Sequence, residues 1–245
     1  MSKNLLFLTL CAVSVIATGA PINQVTYASL TGSFVVDFED LAPGGGSGTN
    51  YNSLIVSQGV TFGERFAGQI LTANGNFDVL SASATGSLTV LAGVPNQNLS
   101  LLTNSGSNVI TGLGTLGFPS FDAIGEGSLA LEFSNDQSQF GFQLVGGNAG
   151  NAFISFFKRD GSLISTLTVA NLADSFYGFS REGGLTDIAG ISIYNDDPAG
   201  IGLDNLKHDI VSTSGVPEPG TLLLLSSGMA ALFFRRRFGS KASNH

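Results

Sequence analysis

Four acidic residues are spaced so that they could bind a metal ion together. Asp37 lies at the end of the first strand-like segment, Glu39 and Asp40 follow it directly, and Asp204 lies in the last one. In β-sandwiches the first and last strands commonly lie close together, so we expect these carboxylates to meet near the carbonyl groups around Asp204. Calcium takes about six to eight oxygen ligands at roughly 2.3–2.6 Å. The sequence therefore predicts a structural calcium site, with ordinary turn and strand-edge acids as the alternative.

Aromatic side chains with a polar end are the second set of candidates. A carbohydrate site needs aromatic faces for the C–H groups of a sugar, and nearby amides or carboxylates for its hydroxyls. The chain has no Trp and 4 Tyr, and most of its phenylalanines occupy alternating positions typical of a core. Tyr177 is the residue that we predict to contact a ligand, with packing at the edge of the core as the alternative.

Residues suited to catalysis are scarce. The two histidines are His208 and His245, and the single cysteine is Cys11, within the first apolar stretch. Neither the HExxH nor the GxSxG pattern occurs. A glycosidase needs two carboxylates at a defined separation, and the sequence offers no basis for choosing such a pair. We therefore expect a non-catalytic protein.

The charge of the chain limits its partners. The net charge is -8, and residues 29–214 contain seventeen Asp and Glu against five Lys and Arg, which gives that region a net charge of -12. An acidic surface repels phosphate backbones and anionic lipids. We expect no nucleic-acid partner, whereas cations would be attracted.

The elements that position these residues are short strands. Alternation of apolar and polar residues, bounded by turn residues, predicts strands in several segments. They are 34–38, 54–62, 129–133, 140–144, 153–157, 163–169, 190–194 and 201–206. Asp160-Gly161 suits a tight hairpin turn between the fifth and sixth of these. Regular short strands without helical periodicity predict an all-β domain, a two-sheet β-sandwich over residues 29–214.

Several short motifs in this region resemble jelly-roll carbohydrate-binding modules. They are Phe38-Glu39-Asp40-Leu41, Gly59-Val60-Thr61-Phe62, Phe140-Gly141-Phe142, the Asp160-Gly161 hairpin, Phe176-Tyr177-Gly178-Phe179 and Gly202-Leu203-Asp204-Asn205-Leu206. The resemblance implies a jelly-roll-like sandwich and a sugar-binding module.

The N-terminal region has the features of a secretory signal peptide. Lys3 precedes a run of twelve apolar residues, which is too short to span a bilayer comfortably but suits a signal helix. Small residues at 17–20 and at 26–28 both allow cleavage. We expect residues 1–28 to contain a signal peptide that directs the chain to the Sec export machinery and is cut between 17 and 28.

The C-terminal region combines an extended motif, an apolar run and an arginine cluster. Pro217 and Pro219 disfavour a helix, and residues 221–234 form a short hydrophobic helix that spans a bilayer only marginally. Under the positive-inside rule, the arginines would lie in the cytoplasm and the acidic domain outside. They are Arg235, Arg236 and Arg237.

This arrangement resembles the PEP-CTERM sorting tail. The match consists of Val216, Pro217, Glu218 and Pro219, the apolar run and the terminal arginines, within residues 215–238. The resemblance implies recognition by an exosortase of a Gram-negative bacterium that makes exopolysaccharide. Residues 239–245 would form a cytoplasmic tail. The chain would be tethered transiently in the inner membrane, then processed and delivered to the envelope or extracellular matrix.

The function that follows is that of an exported surface or biofilm-matrix protein. Three roles for the ectodomain remain open: binding of exopolysaccharide, a structural or adhesive role without a specific glycan, and, least favoured, hydrolysis of a glycan. Saturable affinity for a defined glycan would favour the first role, calcium-dependent self-association the second, and turnover that is lost on removing one acid the third.

Overall fold

The computed structural model describes residues 21–81 and 83–209, and strands dominate this part of the chain. In chain order, the first nine strands are β1 (Ile22–Val25), β2 (Phe34–Val36), β3 (Thr49–Tyr51), β4 (Ile55–Ser57), β5 (Val60–Gly63), β6 (Arg65–Phe66), β7 (Leu71–Asn74), β8 (Phe77–Leu80) and β9 (Val90–Leu91). The others are β10 (Leu99–Asn104), β11 (Ser107–Gly112), β12 (Leu129–Gln137), β13 (Gln139–Asn148), β14 (Asn151–Phe157), β15 (Leu163–Ala170), β16 (Ala173–Arg181), β17 (Ile188–Asn195) and β18 (Ile201–His208).

Two antiparallel sheets form the domain. The eight-stranded sheet has the order β1-β16-β13-β18-β11-β10-β3, and β2 also pairs with β18. The six-stranded sheet has the order β15-β14-β17-β12-β5-β4. Two small two-stranded sheets, β6-β9 and the hairpin β7-β8, complete the architecture. The predicted all-β sandwich is confirmed.

One hydrophobic core joins the inner faces of the two sheets. Phe140, Phe142 and Leu144 of β13 contribute to it from the eight-stranded sheet, as their alternation predicts, and Ile154 and Phe156 of β14 contribute from the other sheet. All five are at most 1 % exposed. Removing a buried phenylalanine ring of this kind costs about 3–5 kcal/mol. The core therefore fixes which residues of each strand face outward.

The predicted hairpin is present between β14 and β15. Gly161 adopts a φ of 82°, which a residue without Cβ tolerates readily. Its amide donates to the Lys158 carbonyl at 2.9 Å, and Asp160 Oδ1 accepts from the Ser162 amide at 2.9 Å. The late strands expected near residues 190–194 and 201–206 are also confirmed as β17 and β18.

Strand β1 is an element that the sequence patterns did not predict. It pairs with residues 178–181 of β16, and Ile22 is 3 % exposed within the core cluster. The amide of Glu182 also donates to the Pro21 carbonyl at 3.0 Å. The sandwich therefore includes residues that precede the expected domain start at Ser29.

The two predicted helices lie outside the described residues, since the signal segment falls mainly within 1–20 and the hydrophobic C-terminal segment within 210–245. Among residues 21–81 and 83–209, no helix has the length and apolar character needed to cross a membrane.

Candidate ligand-binding face

The outer face of the eight-stranded sheet carries a strip of aromatic and polar side chains along β13. Because Phe140, Phe142 and Leu144 face the core, the intervening Gly141, Gln143 and Val145 lie on the opposite face. Neighbouring strands and the segment after β1 add further side chains. We call the set the β13 strip, and its residues are Tyr27, Gln143, Phe176, Asn205 and Lys207.

Tyr27 and Phe176 form an aromatic pair at one end of the strip. Their ring centroids are 5.0 Å apart, and Phe176 is 50 % exposed. The Tyr27 ring lies over Gly141, because a Cβ at that position would be 2.8 Å from Tyr27 Cδ2. A side chain at Gly141 would therefore displace the ring. Lys207 Nζ lies 5.4 Å from the centroid of the same ring, within the range of a cation–π interaction.

Asn205 organises the polar part of the strip. It has a φ of 49° and lies at a bulge, where Asn205 and Leu206 together oppose one residue of β13. Its Nδ2 donates to Gln143 Oε1 at 2.9 Å and to Asp204 Oδ2 at 3.1 Å. Gln143 makes no other side-chain hydrogen bond within the described residues, so its Nε2 group is available to a ligand.

An open groove continues the strip beyond Val145. It has a volume of about 130 Å³ and crosses strands β10, β11, β13 and β18. Gly202 forms part of its lining together with Val109 and Thr111. A Cβ on Gly202 would lie 2.4 Å from Val109 Cγ1, so a side chain at this position would require Val109 to move. Together the strip and the groove offer one elongated face with aromatic, amide and ammonium groups.

The predicted calcium ligands are partly brought together. Val36 of β2 pairs with Leu206 of β18, which carries the residues after β2 toward Asp204. Burial raises the pKa of Asp204, and the charges of Asp37 and Glu39 raise it further, although hydrogen bonds from Ser107 and Asn205 lower it. The three carboxylates therefore share one electrostatic neighbourhood.

Each of the four predicted ligands already accepts a hydrogen bond. Asp204 Oδ2 accepts from Ser107 Oγ at 2.6 Å, and Glu39 Oε1 from the Asn108 amide at 3.1 Å. Gln58 Nε2 donates to Asp37 at 2.8 Å, and Ser57 Oγ donates to Asp40 at 2.6 Å. Across residues 21–81 and 83–209, no three His, Cys, Asp or Glu side chains are grouped in a way that could hold a metal ion. The calcium site stays a prediction.

Tyr177 packs at the edge of the core. Its ring lies 5.9 Å from that of Phe142, and its hydroxyl donates to the Ala173 carbonyl at 3.2 Å. A ligand contact by Tyr177 stays a prediction, whereas the adjacent Phe176 is the exposed aromatic residue of this strand. Sequence reasoning missed Phe176, although strand alternation indicates that neighbouring residues face opposite sides of a sheet.

The predicted sorting motif lies outside the described residues. This applies to Val216, Pro217, Glu218 and Pro219 and to the arginines at 235–237. In sequence, residues 215–237 match the family described as the PEP-CTERM protein-sorting motif. The motif implies an exported protein that is held at the membrane and processed by an exosortase.

Comparison with other proteins adds little about the ectodomain. No curated protein matches the chain. A mutant of a carbohydrate binding module of family 29 shares 16 % identity over 48 % of this chain and 84 % of its own, with a TM-score of 0.28. Another mutant, from a study of ligand recognition by these modules, shares 15 % identity over 59 % of this chain and 92 % of its own, also with a TM-score of 0.28. These values support no conclusion about ligands.

Proposed function

We propose that this chain is a non-catalytic surface protein that binds extracellular polysaccharide through the β13 strip. The Sec machinery exports it, an exosortase processes it at the C-terminal motif, and the sandwich is then delivered to the envelope or matrix of a Gram-negative bacterium. The observation that carries the binding proposal is the aromatic pair of exposed Phe176 and half-buried Tyr27 beside a polar network on the same face.

The chemistry of the strip suits a sugar. The apolar face of a pyranose ring can pack on Phe176, which is half exposed, while hydroxyl groups exchange hydrogen bonds with Gln143 and Asn205. The groove beyond Val145 is open, so a polymer longer than the strip can continue along it. A polysaccharide therefore fits this face better than a small ligand, which usually occupies an enclosed pocket.

The ammonium group of Lys207 is a hydrogen-bond donor that forms no ion pair within the described residues. Among the Lys and Arg residues of the described chain, the other four form ion pairs with carboxylates. Lys207 has no carboxylate within salt-bridge distance in that part of the chain, and its ammonium group lies beside the aromatic pair. Its three N–H donors are thus available to hydroxyl or carboxylate groups of a glycan.

The environment of His208 supports a non-catalytic role. The ring is 1 % exposed and lies between Phe34 and Phe133, with centroid distances of 5.0 and 5.2 Å. Burial lowers its pKa, so the imidazole is neutral near pH 7. Asp204, which accepts a hydrogen bond from Asn205 of the strip, is 1 % exposed and also accepts one from Ser107. A general acid or base must reach its substrate, and neither group is placed to do so.

Affinity electrophoresis tests this proposal with the exopolysaccharide isolated from the producing bacterium. The unaltered protein should be retarded in a gel that contains the polymer. Phe176→Ala should weaken binding about tenfold, which corresponds to about 1.4 kcal/mol. Phe153→Ala is the matched control, because Phe153 belongs to an aromatic pair with Tyr194 on the other sheet. No retardation of the unaltered protein, or an equal loss in both variants, would refute binding through the strip.

A further inference from the structure

Two hydrogen-bond donors of the β13 strip have no acceptor within residues 21–81 and 83–209. The Lys207 ammonium group forms no ion pair there and lies 5.4 Å from the centroid of the Tyr27 ring. Gln143 accepts a hydrogen bond from Asn205 through Oε1, whereas its Nε2 group is unpaired in that part of the chain. Ammonium and amide N–H groups only donate. A ligand that fills this part of the strip must therefore supply acceptors.

The carboxylate of Asp204 determines which end of the Gln143 amide faces a ligand. Asp204 Oδ2 accepts from Ser107 Oγ at 2.6 Å, and its Oδ1 accepts from the Asn205 amide at 2.6 Å. Because an ionised carboxylate only accepts hydrogen bonds, Asn205 turns its Nδ2 group toward Asp204, at 3.1 Å. The same Nδ2 group donates to Gln143 Oε1 at 2.9 Å. The Nε2 group of Gln143 is therefore the end that is left for a ligand.

Both donors lie beside the exposed ring of Phe176. Gln143 is directly opposite Phe176 in the pairing of β13 with β16. Lys207 of β18 is opposite Gly141, two residues before Gln143 in β13. Directly opposite residues have Cβ atoms about 5 Å apart, and diagonal neighbours lie about 7–8 Å apart. A sugar ring that packs on Phe176 therefore has its substituents within reach of both donors.

An unpaired ammonium group is unexpected on this domain. Residues 29–214 contain seventeen Asp and Glu against five Lys and Arg, and the other four basic residues form ion pairs with carboxylates. Asp204 adjoins the strip, but it is 1 % exposed and its oxygens accept from Ser107 and Asn205. The five side chains of the strip thus carry one positive charge and no carboxylate.

We infer that the glycan bound by the β13 strip is acidic, with a uronic acid carboxylate between Lys207 Nζ and Gln143 Nε2. This inference rests on the proposed polysaccharide binding, which it makes more specific. A carboxylate supplies two acceptor oxygens and no donor, which matches the two donors of the strip. Its hydrogen bond to an ammonium group is charge-assisted and about twice as strong as a bond between neutral groups. The ring of the same sugar unit packs on Phe176.

The negative charge of the rest of the domain makes this recognition selective. Because residues 29–214 have a net charge of -12, the domain repels a polyanion over most of its surface. Contacts between like charges disfavour attachment elsewhere, whereas Lys207 attracts a carboxylate. Binding of an acidic glycan is therefore confined to the strip.

Chemical reduction of the polymer tests the inference. Carbodiimide followed by borohydride converts each uronic acid carboxylate to a neutral hydroxymethyl group. Affinity electrophoresis of the exported protein compares the exopolysaccharide of the producing bacterium with its reduced form, and each mobility is referred to a gel without polymer. The unaltered protein should bind the native polymer about tenfold more tightly than the reduced polymer, which corresponds to about 1.4 kcal/mol.

Substitutions within the strip connect this preference to the site. Lys207→Gln should bind the native polymer about tenfold more weakly than the unaltered protein, and the reduced polymer equally well. Lys207→Arg keeps the positive charge and should retain most of the preference. Gln143→Glu keeps an oxygen that accepts from Asn205 but replaces the free donor with a negative charge. It should therefore weaken binding of the native polymer more than binding of the reduced polymer.

Lys158→Gln is the matched control. It changes the net charge by the same amount, but Lys158 follows β14 of the other sheet, and its Nζ pairs with Asp187 at 3.3 Å. It should bind both polymers like the unaltered protein. A loss by Lys158→Gln as large as that by Lys207→Gln would attribute the preference to net charge and overturn the inferred site.

The remaining outcomes separate this inference from the proposed function. Equal affinity of the unaltered protein for both polymers, or an equal loss by Lys207→Gln on both, would overturn recognition of a carboxylate and leave polysaccharide binding intact. Retardation by neither polymer would refute the proposed function and this inference together.

Discussion

The hydroxyl of Tyr27 donates a 2.8 Å hydrogen bond to the backbone carbonyl of Asn205, which links the segment after the first strand to the last strand. Tyr27 also packs against Phe176 and lies beneath the ammonium group of Lys207. The residues from β1 to Tyr27 therefore belong to both the sandwich and its candidate ligand face. A mature protein that lacked them would lose an edge strand and half of the aromatic pair.

This relationship predicts where the signal peptide is cut. Cleavage should fall within residues 17–20 rather than after Ala28, because a cut after Ala28 removes β1 and Tyr27. N-terminal sequencing and intact mass of the exported protein measure the position directly. A mature N-terminus at Ser29 would contradict this prediction.

A truncated variant tests the physical reason for that prediction. An exported form that begins at Ser29 should be less stable than one that begins at Pro21, since Ile22 leaves the core and β16 loses one of its two partner strands. Burying a side chain such as Ile22 contributes about 1.5–3 kcal/mol. Urea denaturation of the two forms compares their free energies of unfolding. Equal stability would show that β1 is dispensable.

Much of the fold was predictable from local patterns. Phe140, Phe142 and Leu144 alternate with residues that tolerate solvent, so period two identified β13 and its inward face. Asp160-Gly161 identified the hairpin because few other dipeptides suit its backbone angles. Such signals are local. They agree with the structure because burial in the core stabilises the same alternation of apolar residues.

The candidate site was less predictable because it depends on pairings distant in sequence. Tyr27 reaches the strip only through β1, which lies in a region that also has signal-peptide features. Asn205 lies at a bulge and donates a hydrogen bond to Gln143. No local sequence pattern predicts that bulge. Phe176 and Tyr177 are neighbours in β16 and so face opposite sides of the sheet. Composition does not show which of the two faces outward.

The sorting motif makes a prediction that does not depend on the ectodomain. Replacing Pro217, Glu218 and Pro219 by alanine should leave an unprocessed precursor in the inner membrane, because the exosortase recognition motif is removed while the apolar run remains. Alanines at residues 212–214, just before the matched region, are the control and should be processed normally. Immunoblots of membrane and extracellular fractions report the outcome. Normal processing of the first variant would exclude recognition of the motif.

The predicted calcium site is tested by thermal unfolding with calcium and with chelator. A ligand that binds only the folded state raises the Tm, and the stabilisation grows with the logarithm of its concentration relative to Kd. If Asp37, Glu39 and Asp204 bind calcium, the ion should raise the Tm of the unaltered protein, and Asp204→Ala should abolish the rise. Asp122→Ala is a control at an exposed acid remote in sequence from these residues. An unchanged Tm at millimolar calcium would leave these acids with a purely structural role.

Asp78 makes the domain sensitive to pH in a defined direction. It is 2 % exposed, and burial together with the charge of Glu64 raises its pKa from 3.8 to about 6, although Ser128 donates to it at 3.0 Å. The folded state thus binds the proton more tightly than the unfolded state. Its contribution to stability is complete below pH 3.8 and is lost as the pH rises through about 6.

Asp78→Asn should therefore stabilise the protein at neutral pH. Asparagine keeps an oxygen that can accept the hydrogen bond from Ser128 but cannot ionise, so the cost of a buried charge disappears. The rise of the Asp78 pKa from 3.8 to about 6 sets an upper limit of about 3 kcal/mol for the gain at pH 7.5, and the gain should vanish near pH 4.

Urea denaturation at the two pH values measures this difference, and Asp122→Asn is the matched control. Asp122 is exposed, so its substitution should change the free energy of unfolding by less than about 0.5 kcal/mol at either pH. Comparing each variant with the unaltered protein at the same pH also removes the opposing contribution of His208. Burial lowers the pKa of that histidine, which destabilises the domain as the pH falls below 6.5. An Asp78→Asn gain that is equal at both pH values would show that the ionisation of Asp78 is not its cause.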